Sequence, residues 1–414
     1  MSPSVDGNAS PNVGGDDVAG LSPCRRQVVG GESFIAGDPG IRMDERIHEH
    51  AAVLVDWSAR IDPGDNVVVS VAEGAHELGV AVAEAVGERG GTLLAVNDSA
   101  ELSRAYLQGR AAGDTDFDDA PAHELAMLEA ADVYLRLGGG RNTAATADVP
   151  PETRQAARRA RTEIREARLA TDWVSTVHPT RSLAQQAGMS FEAYQEFVYD
   201  AVLRDWESLA EEMAQLKTIL DDGETVHIET PTTDLRLSIE NRTAVNSTAS
   251  VADDSHNLPS GEVFTAPADA EGTITFDLPR TVDGTRLENV ELTIEENKIV
   301  DYAADQGEET LGELLETDEG ASRLGELGIG MNRGIDQITD RILFDEKMAE
   351  TIHLAIGRAY DACLPDDEIG NKSAIHIDLL ADMRTDSRLS VDGEVIQRNG
   401  TFRWEDGFTE AAST

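Results

Sequence analysis

The sequence predicts an α/β N-terminal domain, built on a doubly wound, mostly parallel sheet, joined to a strand-rich α+β C-terminal domain. Three observations predict it. From Met43 to about residue 222, short β-branched runs alternate with helical patterns, as βα units require. After Asp221-Asp222-Gly223 the hydrophobic period shortens to two. The second half also carries the hairpin dipeptides Asp283-Gly284, Asp392-Gly393 and Asn399-Gly400. The expected divisions are therefore 1–42, 43–222 and 223–414.

Residues 1–42 are rich in Gly, Ser, Pro, Asn and Asp and have no hydrophobic period. They are expected to be a disordered tail, or a misassigned start with Met43 as the true initiator. Residues 43–60 read as an amphipathic helix with Ile47, Ala51, Leu54 and Val55 on one side. Pro63-Gly64-Asp65 is a turn, and 66–71 (NVVVSV) reads as a buried parallel strand. A helix over 76–89 stops at Gly90-Gly91, and 92–96 is the next strand. Further helices are expected near 101–112, 122–131 and 151–168, with strands near 133–137 and 173–177. A long helical pattern from 190 to about 220 closes the domain. Beyond it, 225–229, 235–239, 273–278, 290–294 and 298–302 alternate as strands.

Composition narrows the function. The 414-residue chain has 79 acidic and 34 basic residues, a net charge of −45. Lysine occurs only at 217, 298, 347 and 372. Such self-repulsion opposes a compact state in dilute salt. In molar salt the Debye length falls to about 3 Å and the repulsion is screened. An acidic, lysine-poor surface therefore points to a halophilic protein from a salt-saturated cytoplasm. With no basic stripe to neutralise phosphates, nucleic acid is not an expected partner. The two cysteines, Cys24 and Cys363, give no disulfide framework and fit a reducing interior. No apolar run reaches the roughly 18 residues of a membrane span, and no signal peptide opens the chain. A cytoplasmic location follows as an expectation.

Several chemistries have no motif here. The chain has no G-x-S-x-G elbow, no P-loop and no H-E-x-x-H. Gly138-Gly139-Gly140 reads as a turn, and His48 and His50 do not share a helix face. The informative residues lie in the second half. Around 375–379, Ile375, Ile377 and Leu379 alternate with His376 and Asp378, so a strand offers an imidazole and a carboxylate on one face. Around 352–357, Ile352, Leu354 and Ile356 alternate with His353, Ala355 and Gly357 in the same way. Either feature alone is open to a plainer account, a chance H-x-D or a satisfied histidine on a half-exposed strand. Glu262 and Glu326 lie in loop-like, glycine-flanked settings, where a solvated face is the default in so acidic a chain.

The segments NLPSGEVFTAP, GELGIGMN, ILFDEK followed by TIHLAIGRAY, and AIHIDLLADMR stand in an order that resembles the aminopeptidase T and aminopeptidase S family of metallo-aminopeptidases. Upstream, HPTRSLAQQAGMSFEAYQEF, DWESLAEEM, MDERI and PGDNVVV are similar to that family as well, so the likeness covers about 43–402. The resemblance implies that the C-terminal domain is catalytic. It implies six metal ligands: Glu262, Glu326, His353, Tyr360, His376 and Asp378. It further implies two divalent ions per chain (zinc, cobalt or manganese), which in such sites lie about 3.5–4 Å apart. Hydrolysis of N-terminal residues from short peptides would then use a metal-bridged hydroxide. Glu326 is assigned as a bridging carboxylate that also manages protons, and Tyr360 as a residue that can hydrogen-bond the substrate. A homodimer with its active sites facing an internal cavity is implied too. Asp345, Glu346 and Lys347 match a family segment without a clear role. Glu350 and Ile377 depart from the family pattern, and Glu350 could alter the pocket.

Two other readings compete. A related group of ring-cleaving dioxygenases would use His353, His376 and Asp378 as a mononuclear non-haem iron triad, but has no use for Glu262 and Glu326. A non-catalytic binding homologue would have no reason to keep six ligands.

Overall fold

The computed structural model describes residues 43–409, except 114–116, 118–119 and 283. The tail over 1–42 and the initiator expectation for Met43 lie outside the described residues.

Helix α1 (Glu45–Ala52) starts where the Asp44 carboxylate accepts a hydrogen bond from the Arg46 amide, satisfying one free donor of the first turn. It continues as a π-helical turn over Val53–Ser58. Ile47, Ala51, Leu54 and Val55 are all buried, as the periodicity predicts. His48 and His50 diverge. His48 points outward, 3.7 Å from Glu84, while His50 is fully buried with Nε2 2.8 Å from Thr176 Oγ1.

Burial, with a smaller contribution from His178, pushes the His50 imidazole down to about 3. The unfolded chain takes up that proton at the ordinary value of 6.5. The folded protein therefore loses stability as pH falls from about 6.5 towards 3, and keeps all of it above that window. At pH 4.5 the loss is about 3 kcal/mol. His50→Asn should shrink the gap between urea midpoints at pH 7 and pH 4.5 relative to wild type. An unchanged gap would remove His50 from the acid limb.

Four parallel strands follow: β1 (Asn66–Ala72), β2 (Thr92–Asp98), β3 (Val133–Gly138) and β4 (Asp172–Val177), in the order β2-β1-β3-β4. Helix α2 (His76–Arg89) packs on β1 and β2 and ends on Gly90, whose φ of 82° is the left-handed cap that glycine adopts freely. The inner face carries Val67, Val69, Leu135, Leu137 and Val174, all in the core. The other helices here are α3 (Ala100–Ala112), α4 (Ala122–Glu129), α5 (Pro151–Arg159) and α6 (Thr162–Leu169). Of these, α3 and α5 bury no residue. The edge strand β2 is exposed along its whole length.

After α7 (Arg181–Gln186), the helical pattern expected as one element over 190–220 is two, α8 (Phe191–Val202) and α9 (Trp206–Asp222). Leu203 leaves helical geometry at ψ 55°, and the Asp205 side chain accepts from the Ser208 amide to start α9. The apolar period runs on through the break, so periodicity alone does not reveal it.

Antiparallel structure then takes over. Its early strands are β5 (Thr225–Thr230), β6 (Thr233–Ser238), β7 (Val245–Ser247), β8 (Glu262–Thr265), β9 (Asp269–Phe276), β10 (Arg280–Val282), β11 (Thr285–Leu287), β12 (Val290–Glu295) and β13 (Lys298–Ala303). After α10 (Glu308–Leu315) come β14 (Leu324–Gly330), α11 (Ile342–Asp345), β15 (Thr351–Gly357), β16 (His376–Asp382), β17 (Arg388–Val391), β18 (Glu394–Arg398) and β19 (Thr401–Phe402). An eight-stranded sheet runs β13-β12-β9-β6-β5-β17-β18-β19, and a five-stranded sheet runs β16-β15-β14-β8-β7. The hairpin signals mark real turns. Asp392-Gly393 joins β17 to β18 and Asn399-Gly400 joins β18 to β19, with all four residues at positive φ. Gly284 turns between β10 and β11, while Asp283 is outside the described residues.

The change of sheet type at the end of α9 is the basis on which we propose 43–222 and 223–414 as domains. In contacts the chain from Met43 onward forms one compact unit.

Candidate metal centre

The register of the five-stranded sheet builds this site. Glu326 pairs with Ala355, and Ala355 with Asp378; Gly328 pairs with His353; Gly357 with His376; Gly330 with Glu262. Directly paired residues share a face, and side chains alternate along each strand. Glu262, Glu326, His353, His376 and Asp378 therefore stand on one face, spread over β8, β14, β15 and β16. On the other face Leu327, Ile329, Ile352, Leu354, Ile356 and Leu379 are buried in the core.

Glu262 and Glu326 are not in loops, as their glycine-rich surroundings led us to expect. Both lie on strands, and every residue of β14 is buried. The glycines serve close approach rather than turning. A Cβ on Gly328 would lie 2.0 Å from His353 Nε2, and one on Gly330 would lie 2.0 Å from the Met348 carbonyl oxygen. With Ala355 and Gly357 they floor the site with small residues.

Above this floor the polar groups converge. Ligand atoms of Glu326, His353 and Asp378 lie within 4.8 Å of one another. His353 Nε2 is 3.1 Å from Glu326 Oε1 and 3.6 Å from Glu262 Oε2. His376 Nε2 is 3.4 Å from Asp378 Oδ1 and 3.8 Å from Glu326 Oε2. His376 Nδ1 donates 2.8 Å to the Arg358 carbonyl, which aims Nε2 at the carboxylates. Tyr360, 39% exposed, sits at the rim. Its ring is edge-on to His376 at 4.9 Å and 5.8 Å from Phe264. Among the described residues its hydroxyl takes no hydrogen-bond partner.

Burial raises the Glu326 carboxyl, helped by the Asp378 charge and opposed by His353. Burial works against a charged His353, but the Glu326 hydrogen bond and the Glu262 charge raise it overall. For His376, burial is again outweighed, here by the adjacent Asp378 carboxylate and then by Glu326, and the imidazole is held up at about 9. Asp378 is drawn down to about 2 because His376 overcomes the effect of burial. Burial first, then the charges of Glu326 and Asp378, push the Tyr360 phenol up to about 12.

Four buried atoms here have no hydrogen-bond partner: Glu262 Oε2, Glu326 Oε2, His353 Nδ1 and Asp378 Oδ1. Three are carboxylate oxygens, whose burial without a partner is costly. A donor set of imidazole and carboxylate with unspent lone pairs fits divalent cations.

The sequence marked Lys347 only as part of FDEK, a contact beside the site or a packing residue alike. Its side chain is fully buried, with Nζ 3.2 Å from Glu262 Oε1 and paired also with Glu346. Lysine is rarely buried unless paired, and only its position in FDEK hinted at a role. Asp345 stands apart from the cluster. It accepts from the Thr339 amide and hydroxyl and the Arg341 amide, clamping the 339–345 loop. Burial raises its carboxyl to about 6. The two departures from the family pattern leave the site intact. Glu350 is engaged 2.8 Å from Arg333 Nη1, and Ile377 is on the core face.

Over residues 43–402 the chain matches the family described as thermophilic metalloprotease (M29). Aminopeptidase 2 of Geobacillus stearothermophilus is 35% identical over 170 residues, covering 36% of this chain and 40% of that protein. Aminopeptidase AmpS of Bacillus subtilis (strain 168) is 33% identical over 202 residues, 43% of this chain and 48% of its own length. These alignments thus span less than half of either relative. The solved structure of wild-type AmpT from Thermus thermophilus is similar with a TM-score of 0.73 and 25% identity, over 87% of this chain and 99% of that one.

Proposed function

Because the chain belongs to the thermophilic metalloprotease (M29) family, we propose that it is a metallo-aminopeptidase that releases N-terminal residues from short peptides. The observation that carries this reading is the set of orphaned carboxylate and imidazole atoms on one sheet face.

Glu262, Glu326, His353, His376 and Asp378 would hold two divalent ions (zinc, cobalt or manganese), with Tyr360 beside them as a sixth ligand or a substrate contact. Such ions, when bound, polarise a peptide carbonyl and make a water, in our reading a bridging hydroxide, nucleophilic near neutral pH. Glu326 lies between His353 and His376. From that position its carboxylate can take a proton from that water and return it to the leaving amine. As a substrate contact, the Tyr360 hydroxyl can donate to the substrate. The buried floor excludes bulk water, which strengthens each of these interactions.

The iron-dioxygenase alternative needs only His353, His376 and Asp378, and leaves Glu326, 3.1 Å from His353, without a task. We also propose, from the family likeness and the composition, a homodimer that works in the cytoplasm at high salt. No helix among the described residues is long and apolar enough to cross a membrane.

The test is metal analysis of protein purified in multimolar salt, with amino-acid release from short peptides assayed before and after chelation. About two divalent ions per chain, with activity lost on chelation and restored by zinc, cobalt or manganese, is expected. One iron per chain with oxygen uptake on a hydroxylated pyridine and no peptide cleavage would overturn the reading.

A further inference from the structure

The outer face of the parallel sheet is built unlike a core. Its register aligns Ser70 with Arg136 and Arg136 with Ser175, and aligns Tyr134 with Trp173. The helices that cover this face are α4 and α6, which pack on each other, with α6 also on β4. Along the α5–α6 stretch the residues at 158, 161, 165 and 168 are all arginine. Arg158 lies at the end of α5, Arg161 at the break before α6, and Arg165 and Arg168 follow on α6 beside the buried Ile164. All four, with Arg136 from the sheet, line a cavity of about 900 Å³. A cavity of that size holds a ligand as large as a nucleotide or a short peptide.

The charge balance is unusual for this chain. Acidic residues outnumber basic ones 79 to 34, yet among the described residues the acidic ones lining the cavity are only Asp98 and Glu124. Glu124 is already paired with Arg161. Among the described residues Arg136, Arg158 and Arg165 have neither a hydrogen bond nor an ion pair. Arg168 is fixed by stacking on Trp173, 4.5 Å from the ring centroid, and Trp173 is stacked in turn on His256 at 4.4 Å. Its N–H donors remain unspent. The composition argued against any basic stripe; the fold gathers a basic cluster at this cavity.

Guanidinium groups left unpaired and close together repel one another, and nearby carboxylates would relieve that at little cost. An exogenous anion relieves it too. Arginine's planar fork matches phosphate and carboxylate oxygens two at a time. We propose that this cavity binds a small polyanion carrying two or more phosphate or carboxylate groups. One charge would be too weak a partner in strong salt, where exposed pairs are screened within a few ångströms. Several convergent guanidinium groups on a multivalent ligand retain affinity there.

The test is isothermal titration of the full, metal-loaded chain at fixed potassium chloride with pyrophosphate, citrate and, as a monovalent control, acetate. Saturable binding of about one pyrophosphate or citrate per chain is expected, with none for acetate. Arg136→Ser and Arg165→Ser should each weaken it about tenfold or more, with thermal midpoint, metal content and peptide hydrolysis unchanged. Two separate substitutions guard against one that misfolds. Binding of pyrophosphate alone identifies a phosphate ligand, and of citrate alone a carboxylate ligand. Absence of saturable binding, or heats that persist undiminished in both variants (as for an anion drawn to the metal ions), would overturn the proposal.

Discussion

Gly328→Ala, the addition of one methyl group, is expected to reduce peptide hydrolysis by about a hundredfold or more and to lower metal content. The added carbon would sit 2.0 Å from His353 Nε2 and 2.1 Å from Cε1, well inside any non-bonded contact. The clash cannot be relieved cheaply. His353 is fully buried, and its strand β15 is paired on both sides. The imidazole must swing away from Glu326 or the strands must part, and either displaces a ligand. Gly109→Ala on the exposed helix α3 is the control, because its Cβ meets nothing within 4 Å. That variant should be neutral or stabilised by about 0.5–1 kcal/mol. The comparison needs turnover and metal content for both proteins. Full metal and turnover in Gly328→Ala would mean that His353 is not packed against β14 as described.

Glu326→Gln should have two effects of opposite sign. Turnover should fall about a thousandfold, because several kcal/mol of charge stabilisation depend on metal ligation. In protein stripped of metal, however, the variant should be more stable than wild type by about 1 kcal/mol. Glu326 is buried close to Asp378 with one oxygen lacking a partner, and burial outweighs the neighbouring imidazoles in opposing its charge, so that charge is destabilising. Glutamine keeps an acceptor for His353 without the charge. Thermal unfolding after exhaustive chelation, set beside turnover with metal restored, reads both effects. A variant that is active, or one that is less stable than wild type when metal-free, would remove Glu326 from the centre of the site.

Much of this arrangement was legible in the sequence, where short-range physics decides. Alternating βα texture gave the parallel sheet, and Asp-Gly and Asn-Gly pairs gave turns whose residues take positive φ. Period two placed His353 away from Ile352 and Leu354, and His376 and Asp378 away from Ile377 and Leu379, on opposite faces of their strands. What escaped depends on tertiary neighbours. Glycines beside Glu262 and Glu326 signal a turn or a close approach equally well, and only the apposed strand decides between them. Lys347 is one charge among many until burial sets it between Glu262 and Glu346. The arginines of α5 and α6 look like a solvated face until the sheet beneath them is known. The interruption at Leu203–Asp205 hides because the buried stripes of α8 and α9 stay nearly in phase.

The spread of the five proposed ligands over four neighbouring strands has a consequence for how the protein matures. Side chains alternate strictly, so a slip of one residue between any two of β8, β14, β15 and β16 would turn a ligand from the pocket into the core. The complete set survives no such error. If these residues hold metal as we propose, its capture acts as a fidelity test on sheet assembly. Misregistered chains stay empty and carry buried carboxylates that favour reopening, while correctly threaded chains are locked by the ions they acquire.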